Sequence, residues 1–248
     1  MSGLEWTLLA PAFVAGCLVL ATHVPLGLQV LARGIVFIDL AVAQLAALGV
    51  LGAELAGWEP HGLAMQGVAV GAALLGGLAL THAERRWPEV QEALIGVLFV
   101  LAASAGILLV AHNPHAGEHL QDMLAGQILW VGWPQVAALA AVTAVLLAVL
   151  YLGRASRARF LFYGVFACAV TASVQMVGVY LVFASLIVPA LAVRRLPQSS
   201  AVLLGLACGA AGYALGLVAS ALWDLPAGAV IVWALALCAL ALGLRLRR

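Results

Sequence analysis

Along this chain, long apolar runs are separated by short polar or charged interruptions. The runs cover roughly 6–32, 34–57, 62–82, 91–112, 135–153, 160–177, 178–193, 199–222 and 226–244. An α-helix needs about 20 apolar residues to cross the hydrocarbon of a bilayer. Backbone polar groups in lipid must be paired internally, so runs of this length predict helices. The sixth and seventh runs are short, and a pair of broken or re-entrant helices is expected there, leaving eight or nine crossings. The predicted fold is all-α: a polytopic membrane helical bundle.

Composition sharpens this reading. Of 248 residues, 66% are hydrophobic and 8% charged, against roughly 45–50% and about 25% in a soluble globular domain. That excludes an ordinary soluble enzyme, a disordered chain and a nucleic-acid binder, and leaves the lipid bilayer as the chain's surroundings. The 26 glycines, with runs such as Gly71-Ala-Ala-Leu-Leu-Gly76-Gly77, suit close helix packing. Cys17, Cys168, Cys208 and Cys238 stand singly inside apolar runs and read as packing residues. Glu5 precedes the first run without a basic segment, so that run is expected to be a retained span, not a cleaved signal peptide.

Charge supplies the orientation. All 11 basic residues are arginines, in five clusters: Arg33; Arg85 and Arg86; Arg154, Arg157 and Arg159; Arg194 and Arg195; Arg245, Arg247 and Arg248. With the N-terminus outside, these clusters fall at the inner ends of runs one, three, five, seven and nine, as the positive-inside rule requires. The expected location is the plasma (inner) membrane, with many passes. The outer loops then hold Glu54, Glu59, His61, the stretch His112-Asn-Pro-His-Ala-Gly-Glu-His-Leu-Gln-Asp122, and Asp224. The outer stretch 113–134, with Gly126, Trp130, Trp133 and Pro134, reads as a short helix followed by an interfacial aromatic turn.

Ionisable groups within apolar runs are costly and so point to function. His23 lies late in the first run and Asp39 early in the second. Gln44 follows Asp39 by five residues, about 140° around a helix, so the two are off one line, yet both are expected to border one cavity at a helix junction. The plainer reading of Asp39 is local pairing with Arg33 or capping of the helix start. In the outer stretch, a helix over 115–122 would set His115, Glu118, His119 and Asp122 at i, i+3, i+4 and i+7, on one face and close to His112. Imidazole with carboxylate suits zinc, iron or nickel better than calcium or magnesium; the plainer reading is a solvated polar loop. His82 and Glu84, beside Arg85, read as an ordinary cytoplasmic turn. Neither HExxH, GxxxxGK[ST] nor GxSxG occurs, which removes the zinc-protease, P-loop ATPase and common serine-esterase arrangements.

Several stretches resemble the permease subunits of zinc- and manganese-type ABC importers. They are Pro25-Leu-Gly27 through Arg33-Gly34 to Asp39 and Leu48-Gly49; Glu92-Ala-Leu-Ile-Gly96; Met123-Leu-Ala-Gly-Gln-Ile-Leu129; the run Val177 to Arg195 containing Pro189; and Asp224-Leu-Pro-Ala-Gly228. The resemblance implies a single permease domain over 1–248. It also implies a second permease copy in a homodimer, a cytoplasmic ABC ATPase subunit and an extracellular or periplasmic metal-binding protein. The cargo would be a divalent transition metal ion such as zinc, manganese or iron, with no permanently bound cofactor and no enzyme activity in this chain. In that family the second helix usually carries Asp and, four residues later, His. Here those positions read Leu40 and Gln44, with Asp39 displaced by one, so the chain reads as a divergent branch. With no nucleotide site of its own, it must receive energy from a partner at the inner surface. Arg194 and Arg195, between Pro189 and Pro197, are the expected coupling turn. Three other readings stay open. A chelate importer of the siderophore or cobalamin kind would need a larger cavity and no outer His/Glu cluster. An intramembrane metalloenzyme would turn over without an ATPase. A structural assembly factor would tolerate loss of every ionisable residue named here.

Overall fold

The computed structural model describes residues 6–58, 63–110, 128–152 and 159–246. Among them the chain forms nine α-helices: α1 Trp6–Arg33, α2 Ile38–Leu55, α3 Leu63–Arg86, α4 Gln91–Val110, α5 Trp133–Leu152, α6 Arg159–Val177, α7 Val179–Val193, α8 Gln198–Trp223 and α9 Ala227–Arg245. Eight are long and apolar enough to cross a membrane; α7, with 15 residues, is shorter. The chain is a multi-pass membrane protein. Of the two runs expected to be short, only the seventh is: α6 has 19 residues. The helix α3 also outruns its apolar stretch and ends at Arg86. His82 and Glu84 are therefore helical, and the turn expected there is corrected: charged residues near a helix end read alike in sequence whether the helix continues or stops.

Side-chain contacts define two ends of the bundle. At one, Arg33 meets Glu84 and Phe162, and Gln91 meets Tyr163. At the other, Gln66 on α3 donates to Gln175 on α6. The described arginines Arg33, Arg85, Arg86, Arg159, Arg194, Arg195 and Arg245 all belong to helix ends on the first side, termed here the arginine end.

Helix α6 runs away from the arginine end and α7 returns to it at Arg194, with only Gly178 between them. Gly178 adopts φ 80°, ψ 161°, a region that residues with a Cβ almost never enter. Its N–H bonds the Val174 carbonyl at 2.8 Å, and its carbonyl accepts from Val182 N–H at 3.0 Å. Both helix ends are thus closed without a loop.

The buried centre is α7, which packs on α1, α8, α9 and α6, while α2 packs on α3, α4 and α6. Small residues permit these approaches. A methyl group at Gly27 of α1 would collide with the Leu186 carbonyl of α7. One at Gly216 of α8 would lie 2.5 Å from Cα of Ile231 on α9. The α8–α9 hairpin turns at Asp224, which takes the left-handed conformation (φ 50°) that Asp tolerates better than most residues. There Ser220 Oγ donates to the Leu225 carbonyl at 2.6 Å.

Candidate functional site

His23 is fully buried on α1. Its Nδ1–H points at the Val19 carbonyl, 2.9 Å away, with Thr22 Oγ1 at 3.0 Å. That contact assigns the tautomer: Nδ1 carries the hydrogen, and Nε2 keeps its lone pair. Nε2 is buried and has no hydrogen-bond partner among the described residues. A neutral imidazole oriented through one nitrogen, with the other free, is what a metal ion or a hydrogen-bond donor requires. The i−4 spacing to Val19 makes this orientation local to α1.

Asp39 occupies the second position of α2 and is fully buried, with both carboxylate oxygens unpartnered among the described residues. Arg33 does not pair with it. The Arg33 guanidinium lies 3.9 Å from Glu84 Oε1 and 4.0 Å from the centre of the Phe162 ring. The start of α2 is capped from elsewhere: Glu92 Oε1 accepts from Phe37 N–H at 3.2 Å. Both plain readings of Asp39 are thereby overturned. An apolar site with an unmet acidic group calls for a counter-charge.

The helices keep these residues apart. His23 lies ten residues before Arg33, roughly 15 Å from the arginine end at about 1.5 Å rise per residue, whereas Asp39 lies at that end. The helices α1 and α2 diverge after their short turn, and both pack instead on α6 and α7, which come between them. Gln44, mostly buried, sits further up α2. His23 and Asp39 therefore sit at two depths of the bundle. Leu40, at the position where the family's Asp would stand, is only partly buried. It lines an apolar groove of about 570 Å³ with Phe37, Gly96, Val97 and Val100. Shifting the acid from position 40 to 39 moves it about 100° around the helix, from that groove into the protein.

Sequence reasoning missed two groups. Glu84 partners Arg33 across 51 residues of sequence. Thr171 on α6 is buried with Oγ1 unpartnered. It lies nine residues beyond Phe162, hence at about the depth of His23 on the neighbouring α1. A lone Thr in an apolar run gives no signal in sequence. Among the described residues, no three of His, Cys, Asp and Glu come together to hold a metal ion. His112, His115, Glu118, His119 and Asp122 lie outside the described residues.

The coupling candidates Arg194 and Arg195 are exposed at the end of α7. Arg194 Nη1 donates to the Leu191 carbonyl at 2.7 Å, and Pro197 precedes α8. The turn is short and charged, and it projects from the most deeply packed helix.

Comparison with known proteins adds the following. A family model described as the ABC 3 transport family matches residues 5–156 and 154–244. A search of curated proteins finds no match. Among solved structures, PsaBC from Streptococcus pneumoniae in complex with Fab is similar, with 20% sequence identity and a TM-score of 0.76. The likeness covers 96% of this chain and 91% of that one; at this identity it is a likeness of fold.

Proposed function

This chain belongs to the ABC 3 transport family, and from that premise we propose that it is the transmembrane subunit of an importer carrying a divalent transition metal ion into the cytoplasm. The observation that carries the reading is the extent of the family match, nearly the whole chain, in a sequence with no phosphate-binding loop. Energy then comes from a separate ATPase subunit docking at the arginine end, where Arg194 and Arg195 project. An outer metal-binding protein delivers the ion, and a second permease copy completes the passage.

The buried groups support a path made of stations. A transported ion must be released, so few and incomplete ligand sets serve better than a closed four-ligand site. His23 Nε2 offers one nitrogen ligand at mid-depth, and the Asp39 oxygens offer a charged one nearer the arginine end. Zinc, manganese and iron all accept this mixture; the outer residues His115, Glu118, His119 and Asp122 would receive the ion first. The metal remains a transient cargo.

The test is uptake of labelled zinc, manganese and iron by vesicles containing the chain with its ATPase. Expected is ATP-dependent uptake of at least one ion, reduced by His23→Ala and by Asp39→Asn with the protein still inserted. A purified complex that hydrolyses ATP yet moves none of the three, while transporting a chelate, would sink the metal reading and leave the family intact. Replacing Arg194 and Arg195 with Glu should lower ATPase co-purification; unchanged co-purification would refute the coupling role.

A further inference from the structure

A groove of about 430 Å³ runs between α7 and α9 at the arginine end. That falls in the size range of small-ligand sites, roughly 300–1,000 Å³. Its walls are Leu191, Ala236, Leu240 and Gly243, and its mouth carries Arg194 and Arg195. Leu191 and Leu240 are well exposed, at 45% and 60%. The two arginines have no ion pair among the described residues, and one Arg194 nitrogen is already turned back onto the Leu191 carbonyl. The site therefore joins an apolar trough, open along an exposed side of the helices, to two positive charges at the arginine end.

An occupant complementary to both features is apolar along its length and negative at one end. We propose that this groove holds one anionic phospholipid of the leaflet at the arginine end, its phosphate between Arg194 and Arg195 and one acyl chain along Leu191, Ala236, Leu240 and Gly243. Basic pockets between transmembrane helices are suited to such headgroups. The lipid would fill the space beside α7 that protein leaves open, and it would fix the arginine turn from the membrane side while leaving the outward face of the turn to a protein partner.

Gly243 gives a clean test, because a Cβ added there meets nothing within 4 Å; the space beside it is the groove itself. Gly243→Leu and Gly243→Trp place added bulk in the trough that Gly243 lines. The purified chain, stripped of lipid, is titrated with phosphatidylglycerol or phosphatidylcholine in detergent, and native mass spectrometry counts bound molecules. One tightly held phosphatidylglycerol per chain is expected, with phosphatidylcholine weaker. Each arginine near the surface contributes about fivefold to the affinity of an anionic headgroup, so Arg194→Gln with Arg195→Gln should weaken it on the order of thirtyfold. Gly243→Trp should abolish the tight binding while retaining ATPase co-purification, with Gly243→Leu as the milder filler if the tryptophan chain does not insert. Equal retention of the two lipids would overturn the proposal. So would phosphatidylglycerol binding unaffected by either Gly243 variant, or a Gly243 variant that displaces the ATPase or a second copy of the chain instead of the lipid.

Discussion

The contact between Gly27 and α7 is the sharpest quantitative test of the packing around α7. Replacing Gly27 with Ala adds one methyl group, and that methyl collides with the Leu186 carbonyl; the Leu186 carbonyl carbon and the Ala190 Cβ also lie within 3.1 Å. The main obstacle is backbone, so no rotamer change relieves it, and α1 and α7 must separate. Overpacking of this kind typically costs about 1–3 kcal/mol. For a chain of this size that lowers a melting midpoint by roughly 2–12 °C. Gly209 is a built-in control. There the added methyl would meet the end of the Leu20 side chain, at 2.5 Å from Cδ2 and 2.8 Å from Cδ1. Leu20→Ala should therefore relieve Gly209→Ala, making the double variant less destabilised than the sum of the singles by about 0.5–3 kcal/mol. Ala190→Gly should not relieve Gly27→Ala. The assay is thermal unfolding in detergent followed by a fluorescent size-exclusion readout, paired with transport at the permissive temperature. A Gly27→Ala chain that melts with wild type, or one restored by Ala190→Gly, would refute the argument from the Leu186 carbonyl.

Other outcomes follow from the same geometry. Glu84→Gln removes the carboxylate 3.9 Å from Arg33, a side chain 21% exposed. It should cost about 1 kcal/mol, an effect that shrinks in high salt, and a salt-independent loss would argue against an electrostatic origin. His115→Ala with His119→Ala should raise the metal concentration needed for half-maximal uptake without lowering the melting midpoint. Because histidine ligates only when neutral, wild-type uptake at low metal should weaken as pH falls through about 6.5; identical concentration dependence in the double variant would leave the outer residues as a solvated loop. A reporter fused after Arg248 should be active only inside the cell, since the positive-inside pattern sets the arginine end there; activity outside would reverse the orientation.

The spans were legible because length and hydropathy alone decide whether a helix can cross lipid, and the structure forms helices on all nine apolar runs. Orientation of His23 was also within reach, since Val19 lies one helical turn away. What the sequence could not reveal is which helices are neighbours. His23 and Asp39 are sixteen positions apart and look adjacent on paper, yet α6 and α7, from more than a hundred residues later, stand between their helices. The same blindness hid Glu84: an acid immediately before paired arginines offers nothing to mark Arg33 as its partner. Thr171 was invisible for a different reason, because its hydroxyl matters only through having no partner, and satisfaction of hydrogen bonds is a property of the assembled bundle.

The single-residue joint at Gly178 also bears on how the protein is made. A helix of 15 residues spans about 22 Å, short of the roughly 30 Å of hydrocarbon. Left alone in lipid, α7 would leave the polar groups at its ends without partners. With no loop to cross the bilayer separately, α6 and α7 have to enter as one hairpin, and α7 becomes a stable segment only once α1, α8 and α9 surround it. During synthesis α8 and α9 emerge after α7, so the helix that ends in Arg194 and Arg195 settles only once these later helices are made. A newly made chain thus presents its finished arginine turn only after the whole bundle has closed, and a partner that reads this turn would by that order of events bind mature copies and pass over incomplete ones.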